Sequence, residues 1–250
     1  MSRNKLNGTM LEKAVVLLEC FPPTGGPFRL TELAERAGFA KSTTSRLVGS
    51  LVDLGLLERG ENGYRLGGKL FELGSLVPRR HDLREAALPF LQDLFEATRA
   101  TVHLGVREGH EVVYVERMHG HDSLALPSRI GGSLPLTCTG VGKALLAFAS
   151  AELVEEVLAA PLPQLTPHSL TDPMRLRTAI EQAQVSGLAY EEQEAVEGVS
   201  CIAAPVFGAG GRAVAALSVA VPRASCHPAR LAPAVRTAAL GLSRTLRGGT

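Results

Sequence analysis

The 250-residue sequence predicts a mixed α/β chain in two parts. The first is a small helical unit closed by a β-hairpin, and the second a larger α+β unit on one antiparallel sheet. Three observations predict this. Residues 30–65, LTELAERAGFAKSTTSRLVGSLVDLGLLERGENGYR, read as a helix, a tight turn, a second helix rich in small hydroxyl side chains, and a hairpin. Charge divides unevenly: residues 1–80 carry twelve Lys and Arg against eight Asp and Glu, a net of +4, and the remainder fourteen against seventeen, a net of −3. Beyond residue 100, strand-like alternation and helix-like periodicity are interleaved.

Composition bounds the possibilities. Hydrophobic content of 45% and charged content of 20% describe a folded globular chain and exclude a disordered one. No run approaches the roughly eighteen apolar residues of a membrane span, and MSRNKLNGT lacks the apolar core of a signal peptide, so a cytoplasmic location is expected. Cys20, Cys138, Cys201 and Cys226 are far apart and form no CxxC pair, which argues against a structural zinc site and a disulfide framework. A basic N-terminal unit on an acidic body fits nucleic-acid contact at one end, although chance asymmetry in a near-neutral protein reads the same way.

In chain order, Thr9-Met10-Leu11-Glu12 has capping-box spacing and starts a helix whose apolar face is read as Leu11, Ala14, Val15, Leu18 and Phe21. The Pro/Gly cluster from Pro22 to Pro27 ends it. Thr31 is the expected N-cap of a short helix, Glu32 to Ala37, stopped by Gly38 and buried through Leu33, Ala34 and Ala37. A third helix runs from Lys41 to Leu54, with Leu47, Val48, Leu51 and Leu54 inward, and Ser42, Thr43, Ser45, Arg46, Gly49 and Ser50 outward. Gly55 stands at its C-cap. Asn62-Gly63 lies between two alternating segments, a hairpin signal that expects positive φ at both residues. Lys69 to Val77 reads as a linker helix, and Pro78-Arg79-Arg80-His81 as a domain boundary.

The second part opens with an amphipathic helix, Leu83 to Thr98, followed by strands Thr101 to Arg107 and Glu111 to Arg117 around a turn at Gly109. Ser123 to Arg129 is read as a third strand. Helices are expected at Gly140 to Ala149, Ala151 to Ala160 and Asp172 to Ser186, the last capped by Asp172 with Pro173 at its first position. Strands Leu188 to Glu192, Val199 to Phe207 and Ala213 to Pro222, then a helix from Pro228 to Leu246, complete the chain.

The first part has the outline of a winged helix-turn-helix. A recognition helix keeps one face apolar while presenting short polar and basic side chains to phosphates and base edges. Lys41, Ser42, Thr43, Ser45 and Arg46 do so, and Arg59 and Arg65 stand on the wing. The alternative is a helical hairpin with a solvated face. Four other patterns carry less. Thr139-Gly140-Val141-Gly142-Lys143-Ala144 suggests a phosphate loop, but Thr137 replaces its first glycine and Ala144 the magnesium-binding hydroxyl. What remains is a glycine-lined helix start whose amides could bind a carboxylate, or glycines needed only for packing. His103, His110, His119 and His121 lack Cys or carboxylates at ligand spacing and are read as solvated turn histidines rather than a metal site. Gly208 to Gly211 precedes a strand, so it is a hairpin turn and not a dinucleotide fingerprint. Cys201 has no His near it in sequence to make it a nucleophile, and reads as a packed thiol or pocket wall.

Taken together, LTELAERAGFAKSTTSRLVGSLVDLGLLER, YRLGGKLFELG, DLREAALPFL, TVHLGVREGHEVVYVER, LPLTCTGVGKALLAF and GVSCIAAPVF resemble the IclR family of bacterial transcriptional regulators over nearly the whole length. The resemblance implies a winged helix-turn-helix (residues 1–66), a linker helix (67–80) and a GAF-like effector-binding and oligomerisation domain (81–250). It implies an operator-binding dimer that can pair into tetramers, and a small organic or aromatic acid as effector. By resemblance Leu126, Leu134, Gly140, Val141, Glu191, Val199, Cys201, Ser218 and Ala220 line the effector pocket. Two departures, Glu191 where an Asp is frequent and Ala220 where a second Ser can stand, suggest a differently shaped, less polar effector. The expected function is a repressor, with an activator of the same architecture as the alternative. An enzyme using Cys201 or Glu191 is the remote one, and no cofactor, metal or catalytic residue is expected.

Overall fold

The computed structural model describes residues 8–22, 26–119 and 126–248, with side chains 78–81 outside that description. The chain forms two compact units, Met1–His81 and Asp82–Thr250.

In the first unit, α1 (Met10–Glu19) starts as its spacing predicts. The Glu12 amide donates to Thr9 Oγ1 at 3.3 Å and the Thr9 amide to Glu12 Oε2 at 2.6 Å. Its buried face is the expected one only in part. Leu17 and Phe21 are buried, with Ala14 and Leu18 beside them, whereas Leu11 is 75% exposed and Val15 47%. The helix is apolar around most of its girth, so periodicity permits two faces, and packing on α2 and α3 selects one. Helix α2 (Leu30–Ala37) begins before Thr31: Arg29 is the N-cap, its amide held by Glu32 Oε2 at 2.7 Å. Gly38 ends it in the left-handed region. Helix α3 (Lys41–Asp53) buries Thr44, Leu47, Val48 and Leu51, while Leu54, expected inside, is its exposed C-cap.

Strands β1 (Leu57–Gly60) and β2 (Gly63–Leu66) pair with Gly60 opposite Gly63. The hairpin loop is therefore Glu61-Asn62, not Asn62-Gly63, and Asn62 is not among the positive-φ residues. Gly63 (φ 134°) serves another purpose. Phe28 bridges to Tyr64 through two 2.8 Å backbone hydrogen bonds. A Cβ on Gly63 would lie 2.4 Å from the Phe28 carbonyl oxygen. Helix α4 (Gly68–Ser75) and helix α5 (Pro78–Thr98) follow. Pro78 to His81, expected as a domain boundary, stand where the two units divide, and they do so as the first turn of α5, where proline costs no hydrogen bond.

The second unit is built on a six-stranded antiparallel sheet in the order β5-β4-β3-β8-β7-β6. Its strands are β3 (Thr101–Glu108), β4 (Glu111–Met118), β5 (Ser133–Pro135), β6 (Ala189–Glu192), β7 (Val199–Phe207) and β8 (Ala213–Pro222). The strand expected at Ser123 to Arg129 is absent from 126–129, and its remainder lies outside the described residues. The true edge strand is β5, positioned where Gly131 and Gly132 bond back to Tyr114 at 2.8 and 3.0 Å. One sheet face packs on α5 and on α9 (Pro228–Gly248), around Leu91, Leu104, Ile202, Leu217 and Val235. The other packs on α6 (Gly140–Leu146), α7 (Ala151–Ala159) and α8 (Pro173–Ser186), around Leu136, Val141, Leu146, Leu176 and Ala203. No helix among the described residues is long and apolar enough to cross a membrane.

Gly142 lets α6 approach the chain before it: a Cβ there would lie 2.0 Å from the Leu136 carbonyl oxygen. Gly142→Ala should destabilise the second unit by about 2–4 kcal/mol in urea unfolding. Gly49→Ala, in open space on α3, should cost nothing or gain up to about 1 kcal/mol.

Candidate functional site

Two places carry functional chemistry. On α3, Lys41, Ser42, Ser45 and Arg46 are exposed and Thr43 is half-buried. The N-cap, Ala40, makes no side-chain bond to the first-turn amides, and that turn holds no acidic residue. That leaves the first-turn N–H groups without a side-chain cap at the positive end of the helix, an arrangement that favours an anion. Arg59 is exposed on the wing. Arg65 is not free as expected: its Nε and Nη2 donate to Glu58 Oε2 at 2.9 and 2.8 Å. Glu58 Oε1 accepts the Gly68 amide at 3.2 Å. That amide and Arg65 together hold the Glu58 carboxyl below its ordinary range. Arg65 thus belongs to a tie between the wing and α4.

The second place is a cavity on the α6 face of the sheet. All nine sequence-derived positions line it: Leu126, Leu134, Gly140, Val141, Glu191, Val199, Cys201, Ser218 and Ala220. Its volume is about 40 Å³, several times the ~10–15 Å³ that one water needs. Sequence reading missed His103, Tyr114, Ser128 and Thr139, which also line it. His103 is the chief correction. It is buried rather than solvated, on the inward phase of β3 opposite Ser218. A polar side chain on the buried phase of a strand was the available signal. Of the other three, His110 is exposed and bonded to Glu156 at 2.9 Å, His119 is exposed, and His121 lies outside the described residues. Among the described residues no group of His, Cys, Asp and Glu could hold a metal ion.

The polar groups of the cavity are linked. His103 Nε2 lies 2.8 Å from Ser128 Oγ, and Nδ1 lies 3.5 Å from Ser218 Oγ. Burial, helped by Arg117 and His119, lowers the imidazole to about 3, so it is neutral. Glu191 Oε1 accepts the amides of Glu194 and Ala195 at 2.5 and 3.2 Å. Burial nevertheless outweighs these bonds and raises the carboxyl to about 7. Burial, then the Glu191 charge, push the Cys201 thiol up to about 12. It is a protonated wall group and not a thiolate nucleophile. Behind the wall, Lys143 Nζ donates to Glu194 Oε1 at 2.5 Å, with both side chains buried. The lysine of the phosphate-loop-like run is therefore committed to Glu194. Thr139 Oγ1 accepts the Gly142 amide at 3.0 Å, and Gly140 stands against Cys201, where a Cβ would be 3.2 Å from Sγ. This arrangement offers hydrogen-bonding groups to a small molecule, and its thiol is not activated as a nucleophile.

An exposed, basic helix-turn-helix on one unit and a cavity lined by hydrogen-bonding groups in the other are the parts of a DNA-binding regulator with an effector-binding domain. The IclR helix-turn-helix domain matches residues 10–61, and the bacterial transcriptional regulator IclR C-terminal domain residues 76–244. The chain belongs to the IclR family of transcriptional regulators. It is 34% identical over 242 residues to the HTH-type transcriptional regulator XynR of Escherichia coli K12, covering 94% of this chain and 96% of that one. It is 31% identical over 217 residues to the transcriptional repressor IclR of the same organism, covering 85% and 79%. An IclR homologue from Microbacterium hydrocarbonoxydans, solved with 4-hydroxybenzoate, superposes with a TM-score of 0.86 at 33% identity, covering 96% of this chain and all of that one.

Lys143→Met should leave Glu194 an uncompensated buried charge and cost about 3–5 kcal/mol in urea unfolding. Adding Glu194→Leu should recover most of that loss, which a merely steric defect at 143 would not allow.

Proposed function

We propose that this chain represses transcription from a roughly palindromic operator and that a small organic or aromatic acid, bound in the second unit, changes its affinity for DNA. The observation that carries the reading is the cavity lined by Glu191, Cys201, Ser218 and His103, in a chain whose other unit exposes Lys41, Ser42, Ser45 and Arg46. Residues 1–66 bind DNA, 67–80 link, and 81–250 bind the effector and oligomerise; the division into units at His81 supports that layout. The 4-hydroxybenzoate held by the Microbacterium homologue supports an acid, and the name of the E. coli repressor supports repression. The protein works in the cytoplasm, where its operator is.

On DNA, Lys41, Ser42, Thr43, Ser45 and Arg46 enter the major groove and Arg59 meets the adjacent backbone. Arg65 contributes only when it leaves Glu58. A second copy of the chain completes the DNA-binding form. Helix α4 has eight residues, none buried, with Phe71 82% exposed and Leu73 and Leu76 also exposed. A helix this short does not persist alone in water, and its apolar side calls for a partner surface. Two such dimers can pair into a tetramer.

Three outcomes test these statements. Arg46→Ala should weaken operator binding by about 1–3 kcal/mol at matched salt; a footprint at wild-type affinity would remove Arg46 from the groove. Phe71→Asp should shift light-scattering mass toward the monomer and lower operator affinity roughly tenfold or more. In a thermal-shift screen of small carboxylic acids, a binding acid should raise the melting temperature and change operator affinity. Melting unchanged by any acid would refute the effector class.

A further inference from the structure

The cavity contains an acid and, among the described residues, no cation. Its lining includes no Lys or Arg. Two cationic groups act on its walls from outside the lining, and one of them, Arg117, keeps a buried Nε with no hydrogen-bond partner among the described residues. Lys143 donates to Glu194 at 2.5 Å, and Arg117 Nη1 donates to the Ser128 carbonyl oxygen. The one imidazole, His103, is neutral and set between two serine hydroxyls. A carboxylate entering this space meets no lysine or arginine in the lining; on one side it meets the start of α6 at Gly140 and Val141, whose amides can donate to it. It also meets Glu191, whose own charge would repel it at short range in a low-dielectric setting.

We propose that an acid effector is held through a shared proton: Glu191 takes one proton from solvent as the ligand binds, and its carboxylic acid then donates to the ligand carboxylate. The ligand class is a small monocarboxylate bound as the anion, with net uptake of one proton by the site. This rests on the reading above that an acid occupies the cavity. No covalent bond forms or breaks except that of the proton to the carboxyl oxygen.

The geometry assigns the oxygens. Glu191 Oε1 accepts two backbone amides, from Glu194 and Ala195, which leaves Oε2 as the oxygen that can carry the proton. The groups around Glu191 favour the protonated form. From β7 the facing residue is Cys201, its register partner, with a protonated thiol. From β4 and β3 come Tyr114, whose ionisation burial suppresses, and neutral His103. From the β6–β7 loop comes Glu194, which repels a charge on Glu191. From α6 comes Lys143, the one group that favours ionisation, and it is bound to Glu194. Cys226, beyond β8, acts weakly and only as a thiol. Desolvation is the largest influence, and with it the carboxyl lies at about 7 in the ligand-free protein. Binding of a monoanion should raise it further. Affinity should then be constant below about 7, and fall roughly tenfold per pH unit above it.

The test is calorimetric titration of the full-length protein with 4-hydroxybenzoate, benzoate and pyruvate, at about pH 6 and about pH 8, in two buffers of different ionisation enthalpy. At the higher pH, the heat for an acid that binds should differ between buffers by uptake of nearly one proton. At the lower pH the difference should be small and the affinity roughly tenfold higher. Glu191→Gln keeps a donor without a charge. It should bind the same acid at both pH values with no uptake and near the low-pH affinity of the wild type. If the variant does not fold, the wild-type buffer dependence decides alone. Equal heats in both buffers with unchanged affinity would overturn the shared proton while leaving an acid effector in place. Uptake that persists in Glu191→Gln would overturn it too. Failure of all three acids at both pH values would instead refute the acid reading, and the shared proton with it.

Discussion

The wall of the ligand cavity depends on one buried ion pair. Lys143 and Glu194 are 2% and 7% exposed in their side chains. Charges so placed are tolerated only when paired, because removing either strands the other in a medium that solvates it poorly. The pair fixes α6 to the loop between β6 and β7, and that loop supplies Ala195 and Val196 to the cavity. The loop is held on its far side as well. Thr166 Oγ1 donates to the Gln193 carbonyl and Ser169 Oγ to the Glu194 carbonyl, each at 2.7 Å. Gln193 sits at positive φ, a conformation a non-glycine residue adopts only where its surroundings over-determine it. By contrast the exposed pairs Lys69–Glu72 and Arg99–Glu96 are worth at most about 1 kcal/mol each and decide nothing about the fold.

The same low-dielectric setting gives the cavity its chemistry. Each ionisable group on the wall is driven toward its neutral form: His103 down, Cys201 and Tyr114 up, Glu191 up to about 7. In such a place hydrogen bonds discriminate among ligands, because a group left unpaired costs more than a good bond gains. The wall shows no activated nucleophile: its thiol is protonated and its imidazole lies between two hydroxyls.

Much of this was legible in the sequence, for a reason that differs by residue. Alternation in β3, β4, β7 and β8 and the cap at Asp172 are local signals, and local structure obeyed them. The nine family positions converge on one cavity because the sheet register brings Glu191 opposite Cys201 and places Ser218 two residues before Ala220 on one face. Failures fell where a long-range contact overruled a local rule. Gly63 suggested the centre of a turn, but the Phe28 backbone needs the space beside it. Leu11 and Val15 matched a helical face that packing did not choose. His103 looked like one of a run of turn histidines, and only the pairing of β3 with β8 shows that it belongs beside Ser218.

A ligand in the second unit can change DNA affinity only through a difference in how well two arrangements of the protein hold it. A tenfold change in operator binding requires about 1.4 kcal/mol of such difference. The linker is suited to an effect of that size. Its start is fixed to the first unit: the Gly67 amide donates to the Leu56 carbonyl at 2.9 Å, and Gly68 to Glu58. The body of α4 buries nothing, so no core packing resists its reorientation. One or two kcal/mol can therefore redistribute its arrangements, whereas α6, with every residue buried, would need far more. The Glu58–Arg65 pair extends the fixed end into the wing. A change in the angle at which α4 leaves Gly68 would thus reach β1 and β2 without passing through the core of either unit.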